Sequence, residues 1–167
     1  MIYYYSYETE LGSITFMEED GALLAISTRR SNEGICQETA LIKEAHRQLD
    51  EYLKGERKTF RLPLNPKGTD FQKRVWKALC EIPYGESRSY KQISEAIGNP
   101  KAVRAVGMAN NRNPLLIVVP CHRVIGANGK LVGYAAGIDK KEFLLRLENR
   151  VVTTNSSETP FTSVTTM

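Results

Sequence analysis

The sequence predicts an α/β protein of the α+β kind in two parts: a small N-terminal antiparallel sheet with a helix, and a mostly helical C-terminal domain with a helix-turn-helix. Three observations predict it. Short β-prone runs separated by turn signals open the chain, an extended stretch with Pro63 and Pro66 interrupts it, and beyond that stretch apolar residues recur at helical spacing. At 167 residues, 41% hydrophobic and 25% charged, the chain has enough apolar material for one good core or two small ones.

In chain order, residues 2–7, 13–18 and 22–28 are rich in β-formers and are separated at Leu11-Gly12 and Asp20-Gly21, which predicts three antiparallel strands. From 38 to 53, Leu41, Ile42, Ala45, Leu49 and Leu53 recur at helical spacing before Lys54-Gly55 ends the pattern. Residues 1–65 therefore form the first domain. Residues 60–67 read as a linker, since no helix crosses Pro63 and Pro66. The second domain, 66–150, opens with a helix capped by Thr69 or Asp70, whose core stripe is Phe71, Val75, Trp76 and Leu79, stopped by Pro83 and Gly85. Ser89 caps the next helix through Tyr90, Ile93 and Ile97. Gly98-Asn99 turns the chain, and Pro100 opens a helix from Lys101 to about Asn110. Helix, glycine turn, helix is the helix-turn-helix pattern, and small residues such as Ala102, Ala105, Gly107 and Ala109 let the second helix lie close to a partner. A last helix at 140–149 is predicted to face the core with Phe143, Leu144 and Leu147, and the Ser- and Thr-rich residues 151–167 to form a disordered tail.

Charge separates the two halves. Residues 1–65 carry 8 Lys and Arg against 11 Asp and Glu, whereas residues 66–150 carry 15 against 7. A basic second half is the electrostatic footprint of a polyanion, because phosphate contacts release counterions. No apolar segment reaches the length of a membrane span and the N-terminus lacks a signal-peptide pattern, so a cytoplasmic protein without a membrane partner is expected. Cys36, Cys80 and Cys121 are widely separated and the histidines are His46 and His122, so neither a metal site nor a disulfide is predicted.

The chemistry is expected at residues 115–126. An unbroken apolar run, Leu115 to Val119, reads as a strand buried on both faces that Pro120 must end, holding Cys121 at the edge of a rigid element. A thiol is mostly protonated at neutral pH, so it needs a neighbour that takes the proton. His122 follows at once, but neighbouring side chains of a strand point apart, and the pair cooperates only if the chain coils after Pro120. Taken by itself, Cys121 reads more readily as an inert buried residue, the commoner fate of an intracellular cysteine.

Pro120-Cys121-His122-Arg123-Val124, with Asn113-Pro114 upstream and Gly133-Tyr134 downstream, resembles the O6-alkylguanine-DNA alkyltransferases, also called methylated-DNA–protein-cysteine methyltransferases. The resemblance extends through Phe71-Gln72, Val75-Trp76, Ile82-Pro83-Tyr84-Gly85, Ser89-Tyr90, Gly98-Asn99-Pro100 and Arg104-Ala105-Val106-Gly107 to Lys141, Phe143 and Glu148. It implies a variable support domain at 1–65, no cofactor, a monomer, and double-stranded DNA carrying O6-alkylguanine as partner. It implies further that Cys121 accepts the alkyl group irreversibly and that His122, bonded to Glu148, takes the thiol proton through a water. Asn113 would orient the active-site backbone and Tyr90 would donate to N3 of the flipped base. The carbonyl of Val124 would read the exocyclic amine, Tyr134 and Ala135 would line the pocket around O6, and Lys141 would lie beside the substrate. Arg104 would replace the extruded nucleotide in the stack, with Lys101, Ala105 and Ser89 at the DNA interface.

One departure stands out: the family usually shows two glycines after the small residue that follows the tyrosine, whereas this chain reads Tyr134-Ala135-Ala136-Gly137. The extra methyl of Ala136 leaves room for methyl transfer and weighs against large O6 substituents. O4-methylthymine is the expected second lesion. Two other classes of function use the same residues: a Cys-His hydrolase, which leaves the helix-turn-helix unexplained, and a binding-only relative, which would lack the cysteine.

Overall fold

The computed structural model describes residues 1–154, which form two compact units, one of residues 1–67 with Pro114–Leu116 and the other beginning at Gly68. In the first unit, β1 (Ile2–Thr9), β2 (Gly12–Glu19) and β3 (Ala22–Ser27) pair antiparallel in a meander. Gly12 and Gly21 take positive φ at the two tight turns, where a side chain would be strained. A two-residue strand, β4 (Ile35–Cys36), pairs parallel to β1 and gives the sheet order β3-β2-β1-β4. It is too short to leave a pattern in the sequence. Helix α1 (Ala40–Leu53) is capped by the Thr39 hydroxyl and buries Ile42, Ala45, Leu49 and Leu53 as their spacing requires.

Two stretches depart from expectation here. The proline-bearing stretch at 60–67 is no free linker: Leu23 N donates to Pro63 O, Asn65 N donates to Leu23 O, and Phe60 and Leu62 are buried. Prolines are tolerated there because the pairing uses the carbonyl of Pro63 and needs no N–H from it. The run at 115–119 is not a strand. Leu115 makes one parallel bridge to Ile26, through Ile26 N to Pro114 O and Leu116 N to Ile26 O, and the chain then turns at Ile117. The run is buried as expected but not extended, since a buried apolar run has the same pattern in either state.

The second unit begins with α2 (Asp70–Cys80), which carries a full capping box: Gln72 N donates to the Thr69 hydroxyl and Thr69 N donates to the Gln72 side chain. Val75, Trp76 and Leu79 are buried, and Trp76 Nε1 donates to Ala109 O at 2.9 Å. A second capping box, Ser89 with Gln92, starts α3 (Tyr90–Ala96). Gly98 turns the chain, and α4 (Val103–Asn111) follows. It starts two residues later than predicted because Asn99 to Ala102 form a separate turn, with Ala102 N donating to Asn99 O. Strands β5 (Arg88–Ser89) and β6 (Val124–Ile125) make a short parallel pair.

The last helix, α5 (Ile138–Thr154), is longer than expected. Its buried stripe is Lys141, Leu144, Leu147, Glu148 and Val151, so Phe143 is exposed and two charged residues face inward instead. Residues 151–154, expected in a disordered tail, continue α5, with Val151 extending the stripe by one turn; the rest of that tail lies outside the described residues. No helix among the described residues is long and apolar enough to cross a membrane.

Candidate active site

Cys121 sits in a single 3-10 turn, Cys121–Arg123, directly after Pro120. The turn closes through Cys121 N to Val119 O at 2.8 Å and Arg123 N to Pro120 O at 3.0 Å. This is the coil that cooperation between neighbouring residues requires, and Cys121, His122 and Arg123 are all buried. Ahead of the turn, Ile117 holds φ at +73°, a left-handed conformation that costs a β-branched residue about 1–2 kcal/mol. Asn113 Nδ2 donates to Val119 O at 2.7 Å across the bend, and the Asn113 side chain also hydrogen-bonds the Cys121 thiol. Asn110, buried at the end of α4, donates to Cys121 O at 3.4 Å.

Behind the turn lies a buried charge cluster. His122 Nε2 and Glu148 Oε2 are 2.6 Å apart, Arg123 Nε donates to Glu148 Oε1 at 2.9 Å, and Arg123 Nη2 donates to Oε2 at 3.1 Å. Gly85 N adds a fourth bond to Oε1 at 3.0 Å, and Arg123 Nη1 donates to Ile82 O at 2.7 Å. Two-pronged contact between guanidinium and carboxylate fixes the carboxylate plane, and hence the imidazole that it holds. Burial by itself works to raise the Glu148 carboxyl, but His122 and Arg123 outweigh it and hold the group far below the usual carboxylate range. Burial lowers His122 from its ordinary 6.5, against the pull of Glu148 and with help from Arg123 and Lys141. The imidazole is therefore neutral at physiological pH and can accept a proton.

The thiol needs that acceptor. Burial raises Cys121 to about 11, opposed by the Asn113 hydrogen bond and the Lys141 charge. Tyr90 and Tyr134 are each raised, by burial first and then by Cys121 nearby, so both phenols are proton donors around the sulfur at neutral pH. The Tyr90 hydroxyl donates to Val132 O at 2.8 Å. Lys141, fully buried, donates from Nζ to the carbonyls of Val124, Val132 and Gly133, and burial lowers it to about 8 against the raising influence of Cys121. It thus fixes β6 and the loop before α5 at once. In that loop Gly133 takes φ of +63°, and a side chain there would press on the Asn111 amide at 3.1 Å.

The remaining expected residues lie farther out. Lys101, Arg104 and Ala105 are exposed, the last two on α4, and Ala135 is exposed in the loop. The Ser89 hydroxyl is occupied as the cap of α3. Cys36 is exposed, and burial raises Cys80 to about 12 although Arg123 opposes this. Among the described residues no group of three His, Cys, Asp or Glu side chains is placed to hold a metal. Sequence reasoning did not single out Arg123, Gly85 or Asn110. Arg123 stood inside the pentapeptide Pro120–Val124, and for Asn110 the available signal was its helical spacing in line with the apolar Val106 and Ala109.

Two family models match nearly the whole of the described chain: 6-O-methylguanine DNA methyltransferase, ribonuclease-like domain, at residues 2–66, and 6-O-methylguanine DNA methyltransferase, DNA binding domain, at residues 70–150. The chain belongs to the 6-O-methylguanine DNA methyltransferase family. It is 52% identical over 153 residues to the methylated-DNA–protein-cysteine methyltransferase of Methanosarcina acetivorans, covering 88% of this chain and 98% of that one. The constitutive methylated-DNA–protein-cysteine methyltransferase of Bacillus subtilis is 51% identical over 160 residues, with 89% and 96% covered. Among solved structures it is similar to the Mycobacterium tuberculosis OGT in complex with DNA, at a TM-score of 0.84 and 44% identity over 89% of this chain and 94% of that one. In this family's terms, the basic second unit is the DNA-binding domain, and it also contains Cys121, His122 and Glu148.

Proposed function

We propose that this protein repairs DNA once per molecule, taking O6-methylguanine out of the duplex and moving its methyl group irreversibly onto Cys121. The observation that carries the reading is the geometry behind the thiol: Cys121 and His122 adjacent in one buried 3-10 turn, and the His122 imidazole held by a Glu148 carboxylate that four donors fix. Nε2 of His122 is engaged by Glu148, which leaves Nδ1 as the nitrogen toward which the thiol proton moves through a bridging water. As the carbon–sulfur bond forms, the methyl carbon parts from O6, and the Tyr90 hydroxyl donates to N3 so that guanine does not leave as a full anion. The thioether product has no acyl carbon for water to attack, so the protein is consumed by its reaction.

Flipping is required because O6 of a stacked guanine cannot reach a buried sulfur. Arg104 on α4 fills the vacated place, Lys101 contacts phosphate, and α3, its glycine turn and α4 serve as the helix-turn-helix. Asn113 orients the bend before Cys121, the Val124 carbonyl reads the exocyclic amine, and Tyr134 and Ala135 border the pocket. Lys141 contributes through the carbonyls it holds. Tyr90 must exchange its bond to Val132 O for one to N3, so the loop after β6 shifts as the base enters; Gly129, Gly133 and Gly137, all at positive φ, give it the hinges. Residues 1–65 act as support, and the protein works as a cytoplasmic monomer without a cofactor. O4-methylthymine is the second lesion, and Ala136 keeps the pocket selective for small alkyl groups.

The test is a duplex carrying labelled O6-methylguanine. The expected result is transfer of one methyl per protein molecule, with no second turnover. Release of label to solvent, or repeated turnover, would instead assign the Cys-His pair to a hydrolase.

A further inference from the structure

Helix α4 and its C-cap expose Arg104, Ala105, Met108, Asn111 and, at the cap, Arg112, positions that recur every three or four residues and so form one continuous stripe. Within it Met108 is out of character. Its neighbours on the stripe are cationic, polar or small, whereas Met108 is a long apolar side chain left 61% exposed. A single exposed apolar residue needs no explanation by itself. Its position gives it one: it lies four residues, or about 6 Å along the helix, beyond Arg104, with Arg112 another turn on. An open groove lined by Thr69, Phe71, Gln72, Ala105, Ala109 and Arg112 runs beside it, so no wall blocks the approach of a partner to Met108.

An apolar side chain between two arginines matches a duplex groove, where sugars and base edges lie between rows of phosphates. Proteins that open base steps do so by inserting such side chains, methionine among them. Methionine suits this because it is unbranched and polarizable, and adapts its shape to whichever step it meets. The stripe continues the DNA-binding domain and carries the charge of its partner's opposite sign.

We propose that Met108 is an apolar wedge for duplex DNA, entering beside Arg104 and holding open the base step next to the flipped nucleotide, while Arg112 contacts the adjoining phosphate. This rests on the function proposed above. Arg104 substitutes for the missing base, whereas Met108 keeps its neighbours from closing over the gap. The two side chains therefore act on the same step of the reaction and on no other.

The experiment compares wild type, Met108→Ala and Met108→Leu on three substrates: a matched O6-methylguanine duplex at saturating DNA, the same duplex with an unpaired lesion, and free O6-methylguanine base. The wedge predicts that Met108→Ala reacts about ten-fold more slowly on the matched duplex, recovers most of that loss on the unpaired lesion, and equals wild type on the free base. Met108→Leu should stay within about two-fold of wild type throughout. A Met108→Ala rate at saturation equal to wild type on the matched duplex overturns the wedge, whether or not binding weakens. So does an equal loss on all three substrates. If wild type itself takes no methyl from duplex or base, the proposed function fails; if wild type reacts and Met108→Ala matches it, only the wedge does.

Discussion

The cluster around Glu148 and the outer stripe of α4 both belong to the basic second unit, yet they treat charge in opposite ways. Around Glu148 the carboxylate is buried and answered from within the chain by His122, Arg123 and Gly85. Along α4, Arg104 and Arg112 stand in solvent, with Met108 between them. An internally satisfied cluster is set before substrate arrives, which suits proton transfer, where small displacements are costly. Exposed cations gain their worth only when a polyanion displaces its counterions. Under the proposed function, the difference means that the domain separates chemistry from recognition, and that the two can be damaged one at a time.

The largest effect should come from the nucleophile. Cys121→Ala should abolish methyl transfer and leave binding to methylated duplex largely intact, as read by labelled transfer and a gel-shift titration. Methylated Cys80 in a peptide map of the wild type would break the assignment.

Next is the interior cluster. His122→Ala or Glu148→Gln should slow alkylation by roughly 10²–10⁴, the usual range for lost general acid–base help. Glu148→Gln should also cost about 3–5 kcal/mol in denaturant unfolding, because Arg123 and its neighbours are left buried without their counter-charge. A normal rate in both variants would remove the relay from the account.

Acid should reveal the same cluster. Both groups have folded values below their ordinary ones, 6.5 for His122 and 4.5 for Glu148, so each binds its proton more readily unfolded. Stability should therefore fall with pH, beginning below about 6.5 through His122 and adding Glu148 below about 4.5. Melting temperatures measured across that range should fall less steeply for Glu148→Gln than for wild type below pH 4.5; parallel curves would contradict the assignment.

The smallest effect belongs to the outer face. Lys101→Ala should weaken DNA binding modestly for every sequence and reduce the salt slope by about one phosphate contact, near 0.9. An unchanged slope would take Lys101 out of the interface.

Much of this contrast was legible in the sequence. Short β-prone runs with glycine turns announced β1 to β3, and the spacing from Leu41 to Leu53 announced α1, because local patterns encode local structure. Thr69 and Ser89 were readable as caps for the same reason. The bend at Ile117 was not, since its left-handed conformation is imposed by tertiary contacts on a residue that disfavours it. Nor was the inward face of α5: Lys141 and Glu148 look solvent-bound until their partners, the Val124 carbonyl and Arg123, are brought to them by the fold. The proposed catalytic residues, with the His122–Glu148 pair, were named by resemblance to a family, whereas the bonds from Arg123 and Gly85 that hold Glu148 were visible only in three dimensions.

The most direct test of a division between interior chemistry and exterior recognition is the ratio of duplex rate to free-base rate in two variants measured side by side. Glu148→Gln should lower both rates by the same factor and leave the ratio at its wild-type value. Arg104→Ala should lower the duplex rate ten-fold or more, since extrusion costs a few kcal/mol, and leave the free-base rate unchanged. Equal losses on duplex and free base for Arg104→Ala would contradict the account, because the outer face would then be supporting the pocket instead of the flip.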